Sequence, residues 1–125
     1  MREVLVIMVA GAMGSASRYG VSSLVHRMFG DKFAVGTLAV NLIGCLLLGF
    51  IIELGTETQL WSRTTQMALT VGFLGAFTTF STFGHETVRF IESGSWGLAV
   101  LNVTANVLLG LLGATAGIML GRAVA

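Results

Sequence analysis

The sequence predicts an all-α membrane protein: a single four-helix transmembrane domain over residues 1–125, its third helix broken near the middle. Three observations carry that prediction. Apolar residues make up 54% of the chain and charged residues only 10%, where soluble domains are about a quarter charged. A chain of 125 residues has too small an interior to hide that much apolar surface, and a mean hydropathy of +0.87 agrees, so lipid is its main solvent. The sparse charges also act as punctuation between four apolar stretches, each of about 20 residues, enough to cross a hydrocarbon core of about 30 Å. Finally, glycines and hydroxyl residues crowd the third stretch, and proline is absent from the whole chain, so any helix break must come from them.

The first stretch runs from Val4 to about Leu24. It is read as a span and not a secretory leader, because no clear cleavage region precedes Arg18 and the apolar run outlasts a usual leader core. Arg18 follows Gly11-Ala12-Met13-Gly14. A charge at the bilayer centre costs about 2.5–3.5 kcal/mol, so Arg18 must face protein, water or an interface; snorkelling from a helix end is the plainer alternative. The second stretch, Phe33 to Leu54, contains Asn41 within Gly36-Thr37-Leu38-Ala39-Val40-Asn41-Leu42-Ile43-Gly44. Its amide either donates to an anion or joins two helices. Cys45 reads as a small buried hydrophobe.

The third stretch, Met67 to about Ile91, holds Gly72-Phe73-Leu74-Gly75-Ala76-Phe77-Thr78-Thr79-Phe80-Ser81-Thr82-Phe83-Gly84. Glycine permits unusual dihedrals, and hydroxyls compete for backbone hydrogen bonds. Such a run predicts a helix break whose freed backbone groups are re-satisfied by neighbours or line a cavity. Exposed carbonyls there would make a cation site. Phe77, Phe80 and Phe83 repeat at a spacing of three and so are expected on one helical face. Packing is the ordinary role of such a stripe; the sharper reading uses the positive ring edges to hold a small anion weakly, as conduction requires. In the fourth stretch, Leu98 to Leu120, Asn102 and Asn106 share a face with Gly110. Gly113, Gly117 and Gly121 follow at a spacing of four, a ridge for close helix packing.

The links carry Trp61 and Trp96 beside helix ends, as interfacial aromatics do. Four spans place Arg2, Arg63 and Arg122 on one side, and Arg27 and Lys32 on the other, with Arg18 and Arg89 added there if they belong to helix ends. Three against four gives no positive-inside bias. Either both orientations insert and pair about an axis in the membrane plane, imitating the inverted repeats of larger transporters, or so small a count carries no information. A net charge of +1 leaves no footprint for nucleic acid. One cysteine excludes an internal disulfide framework and four-cysteine metal sites. His85 and Glu86 lack the partners of an acid–base or metal site, and Glu86 reads as a solvated helix end or a vestibule residue. No phosphate-binding loop, nucleophile motif or dinucleotide fingerprint is present, so no enzyme is expected.

Over almost its whole length the sequence resembles the Fluc (CrcB) fluoride channels of microbial membranes. The matching pieces are Gly11-x-x-Gly14-x-x-x-Arg18-Tyr19, Gly36-Thr37-Leu38-x-Val40-Asn41-x-x-Gly44 and Gly72-Phe73-x-Gly75-x-x-Thr78-Thr79-Phe80-Ser81-Thr82-Phe83; the last is the specific one. The resemblance implies an antiparallel, dual-topology homodimer in the cytoplasmic (inner) membrane, with two fluoride pores along its interface. It implies fluoride contact by Phe80 and Phe83, a pore-lining Asn41, Ser81 in the pore wall with Thr79 and Asn106 beside it, and Arg18 in a vestibule. It further implies a structural, non-transported sodium ion held by the backbone carbonyls of Gly75 and Thr78 from both subunits. Fluoride, the lipid bilayer and a second copy of the chain are then its partners. Two features depart from the family pattern. The polar track after Asn106 gives way to Gly110 and Ala114, with Thr115 displaced by one, and Ala76 stands where glycine is common.

The competing function is a small four-helix, dual-topology multidrug exporter. It needs a membrane-embedded carboxylate in the first helix, and Glu3 is the only acid before Asp31. A purely structural membrane subunit would explain the glycine ridge but not the Thr-Phe-Ser run.

Overall fold

The computed structural model describes Met1–Ala125, helical almost throughout. α1 (Arg2–Phe29) and α2 (Val35–Thr58) are continuous helices. The third span, Arg63–Glu92, is assembled from α3 (Arg63–Met67), a π-helical segment over Ala68–Leu74, the single turn α4 (Gly75–Phe77) and, after an interruption, α5 (Phe80–Glu92). α6 (Trp96–Val124) completes the chain. All four spans are long and apolar enough to cross a membrane.

The helices outrun the apolar stretches that mark them in the sequence. α1 continues past Leu24 to Phe29, since nothing disfavours helix before Gly30, which ends it at φ 79°. At 1.5 Å per residue its 28 residues are about 42 Å long, so it must tilt or reach the headgroups. α2 ends on Gln59 in the left-handed region, and Ser62 caps α3 by accepting the Thr65 N–H at 3.2 Å.

Only 15 of the 125 residues are buried, so most apolar side chains point outward, an arrangement stable only against lipid or a partner. What interior exists is held by close backbone approach. α2 and α6 run parallel, with Arg122 Nε on Glu53 Oε1 at 2.6 Å where both helices end. Along that seam a Cβ on Gly117 would overlap the Leu46 carbonyl, one on Gly121 would lie 2.9 Å from the Glu53 Cβ, and one on Gly113 would lie 3.0 Å from Leu42 Cδ1. Gly49 answers from α2, where a Cβ would strike the Ala114 carbonyl. α1 meets the third span in the same way, Gly14 beneath Phe73. Gly117→Ala is therefore expected to destabilise the fold by about 1–3 kcal/mol, the usual cost of overpacking. Thermal unfolding in detergent reads it directly: an unchanged midpoint would mean the two helices do not meet closely at Gly117.

The small buried core of Val40, Leu74 and Phe77 gathers Val21, Leu47, Ile51 and Phe73 beside the interruption. The phenylalanine stripe expected on one face is divided there. Phe77 lies before the interruption, is buried, and stacks on Phe73 at 6.0 Å. Phe80 and Phe83 lie beyond it and pair with each other at 5.5 Å, tilted by 56°. A spacing of three fixes a common face only along one unbroken helix, and two extended residues separate Phe77 from Phe80.

Candidate functional site

Thr78 (φ −82°, ψ 159°) and Thr79 (φ −149°, ψ 112°) are both extended. This pair displaces the helical ladder, so the carbonyls of Gly75, Ala76 and Phe77 lose the N–H groups four residues ahead. The hydroxyls close part of the gap. Thr78 donates both its N–H and its Oγ1 hydrogen to the Leu74 carbonyl, each at 3.0 Å. Thr79 restarts the helix as the N-cap of α5, its Oγ1 accepting the Thr82 N–H at 3.2 Å; such a cap contributes about 1 kcal/mol. Just before the interruption, the π-helical turn widens the backbone, a local irregularity frequent at functional sites.

The peptide groups of Thr79 are satisfied from α2. The Thr79 N–H donates to Asn41 Oδ1 at 2.8 Å, and Asn41 Nδ2 donates back to the Thr79 carbonyl at 3.1 Å. The second Nδ2 hydrogen goes to Asn106 Oδ1 on α6, also at 3.1 Å. Asn41 thus engages its whole amide on protein groups, two of them on the extended residue that no helix bond can reach. Unmet backbone groups are costly in hydrocarbon, which is why this clamp and the interruption belong together. From α1, Arg18 Nη1 reaches the Thr78 carbonyl at 3.5 Å.

Two cavities meet at Thr79. One, of about 320 Å³, is an open groove that gathers Asn41, Gly75, Thr78, Thr79, Phe80, Phe83 and Asn106, floored by Gly44 and Cys45 and without a single charged residue. Phe80 is 82% exposed, so one side of the groove has no cover within the chain. The other cavity, of about 640 Å³, is polar and lined by Arg18, Tyr19, His26, Arg27, Thr37 and Glu86 as well as Thr79. Ser81 lines neither; it is exposed, its Oγ 3.4 Å from Thr79 Oγ1. Past Asn106 on α6 only Val107 lines the groove; Gly110 is buried, with room for a Cβ 3.5 Å from Cys45 Sγ, and Thr115 bonds back to the Leu111 carbonyl on an exposed face.

No three His, Cys, Asp or Glu side chains are placed to hold a metal ion. The backbone carbonyls at the interruption are hard, neutral oxygens: that of Gly75 has lost its helix partner, and that of Thr78 faces Arg18 Nη1. A hard cation takes about six oxygens; two carbonyls from one copy, or four from two, would need further oxygen ligands to complete its shell.

A family model described as CrcB-like protein, Camphor Resistance (CrcB), matches residues 5–118. The chain belongs to the CrcB family. Relatives agree along nearly the whole length. A protein of Geobacter sulfurreducens is 48% identical over 122 residues, 98% of each chain. One of Dehalococcoides mccartyi is 45% identical over 121 residues, 97% of this chain and 93% of its own. One of Magnetococcus marinus is 41% identical over 120 residues, 96% of this chain and 98% of its own. Each of the three is named a fluoride-specific ion channel, FluC; the family is one of ion channels and not of enzymes.

The structure also gives roles to residues for which the sequence assigned none or left two readings open. Thr37 Oγ1 donates to Glu86 Oε1 at 2.7 Å, and Glu86 Oε2 is buried without a partner. Glu86 is therefore half-buried in the polar cavity, not the solvated helix end its sequence neighbours suggest. Thr87 joins Asn102 at 2.9 Å. Thr37 stands four residues before Asn41 on α2, and that spacing was the available signal; Thr87 had none.

Proposed function

We propose that this CrcB-family chain is a fluoride channel of the cytoplasmic membrane, releasing toxic fluoride passively. The observation that carries the reading is the uncharged groove at the helix interruption, which the tilted Phe80–Phe83 pair lines together with Asn41, Thr79 and Asn106. Fluoride is small and strongly hydrated, so dehydration is the main barrier. Ring edges and hydroxyls replace part of the shell without a fixed charge, so the ion binds weakly enough to leave. Arg18 in the polar cavity concentrates anions beside Thr79, which lines both spaces; Ser81, exposed and 3.4 Å from Thr79 Oγ1, would join the pore wall only once a second copy covers it. The membrane potential supplies about 2.3 kcal/mol per elementary charge per 100 mV. An exporter reading finds no support: the one acid of the first span, Glu3, lies exposed at its start.

In this reading two copies pair antiparallel about an axis in the membrane plane, giving two pores. The exposed Phe80 and the uncovered side of the groove support a second copy there, and with Arg18 inside the span at the interruption, three basic residues on each side leave insertion unbiased. Carbonyls of Gly75 and Thr78 from both copies would together hold a structural sodium ion, which fits their hard, neutral oxygens. Bound there, sodium supplies positive potential beside the anion path and braces the interface.

Liposomes containing only this protein should release fluoride while retaining chloride and a cationic dye. Equal chloride release, or dye transport driven by a proton gradient, would overturn the fluoride reading. Exchange of sodium for a large organic cation should abolish the flux, and full flux without sodium would remove the central ion. For topology, a Cys45→Ser, Thr58→Cys variant in intact cells should be labelled about half by a membrane-impermeant thiol reagent. One-sided labelling, either all or none of the protein, rejects the antiparallel homodimer.

A further inference from the structure

Six residues form one unbroken chain of hydrogen bonds that leaves the interruption and returns to the same helix. The Thr79 N–H donates to Asn41 Oδ1 (2.8 Å), and Asn41 Nδ2 donates to Asn106 Oδ1 (3.1 Å). Asn106 Nδ2 donates to Asn102 Oδ1 (3.1 Å), and Asn102 Nδ2 to Thr87 Oγ1 (2.9 Å). Thr87 Oγ1 then donates to the Phe83 carbonyl (2.8 Å). Both ends are backbone groups of fixed character, a donor at Thr79 and an acceptor at Phe83, so every amide between them has one permitted orientation. A second bond, Asn106 Nδ2 to the Asn102 carbonyl at 2.9 Å, pins the middle the same way. Aligned hydrogen bonds polarise and strengthen one another at low dielectric.

We propose that Asn102 and Thr87 are positioning residues for the anion path, holding the Phe80–Phe83 turn in place from behind. The chain grips α5 before Phe80, at Thr79, and again at the Phe83 carbonyl. The turn carrying both rings is thereby tied at each end to α2 and α6. Neither Asn102 nor Thr87 lines the groove, and Asn102 is fully buried, so they act through the turn and not on the ion. The polar line through the asparagines is in this respect a frame: both hydrogens of Asn41 Nδ2 and both of Asn106 Nδ2 are already engaged. Thr87→Val keeps the shape of the side chain but removes the acceptor for Asn102 and the donor to Phe83. The turn then gains freedom, and the ring edges no longer hold one separation.

This proposal rests on the fluoride reading, and the test separates the two. Fluoride and chloride efflux from liposomes are measured per folded protein for wild type, Thr87→Val, Thr87→Ser and Asn102→Leu. Thr104→Val on α6, outside the hydrogen-bonded chain, is the control. Thr87→Val and Asn102→Leu should each lower fluoride flux at least tenfold and lower the fluoride-to-chloride ratio, while Thr87→Ser and Thr104→Val match wild type. A role in stability alone would reduce the yield of folded protein and leave the ratio unchanged, and that outcome overturns the proposal. Should Thr87→Val fail to fold, Thr87→Ala is read against the same criterion. If both fail, side-chain amide resonances of Asn41 and Asn106 in Thr87→Ser decide: they should keep their wild-type positions, and a loss of their dispersion would refute the frame. Absence of fluoride flux in the wild type rejects the underlying function instead.

Discussion

Phe80→Ile and Phe83→Ile should each remove most of the fluoride flux while leaving a folded protein of unchanged oligomeric state. Isoleucine is apolar and large enough to hold the groove open, but has no ring edge to present to an anion. The loss should be the larger at Phe83, which is half-buried and anchored through its carbonyl to Thr87. Phe80 is 82% exposed and depends on whatever covers it to keep its angle. Phe77→Ile is the informative contrast. It faces the buried core with Val40 and Leu74, so it should lower thermal stability and leave the flux per folded protein near wild type. Liposome efflux normalised to folded protein checks all three, and normal flux in both groove variants would reduce the pair to packing.

Asn41→Asp should abolish conduction. The retained oxygen still accepts the Thr79 N–H, but the second oxygen now faces two acceptors, the Thr79 carbonyl and Asn106 Oδ1, where the amide had donated to both. Repulsion loosens the clamp on the interruption, and an ionised carboxylate would add a negative charge to a groove that otherwise has none. Asn41→Ser shortens the side chain without adding charge and should conduct weakly. Efflux of both variants beside wild type separates the electrostatic effect from the lost clamp. Wild-type flux in Asn41→Asp would show that the ion passes elsewhere.

Much of the architecture was legible before any coordinate. Four spans follow from counting charges, since lipid permits few of them, and the interruption follows from Thr78, Thr79, Ser81 and Thr82 between glycines in a chain without proline. The groove residues Asn41, Phe80 and Phe83 stood out because polar and aromatic groups crowd a place where lipid would not require them. Periodicity groups Phe77 with the other two rings, but it assumes the continuous helix that the same run of hydroxyls breaks. Glu86 and Thr37 carried too little signal alone; their hydrogen bond joins α2 to α5 across 49 positions.

The sequence by itself determined the solvent, the number of spans and the place of the interruption, because each depends on local composition: free energies of transfer and backbone propensities that neighbouring residues set. Only the tertiary structure decided what the polar groups do. Whether Asn41 faces an ion or a backbone depends on Thr79, 38 positions away, and whether Asn106 orients it depends on a helix another 65 positions from Asn41. The direction of the amide chain required both backbone ends, Thr79 and Phe83, to be placed at once. Hydrogen bonds in a medium without water must be completed by protein, and which protein groups are within 3 Å is a property of packing that no single segment contains.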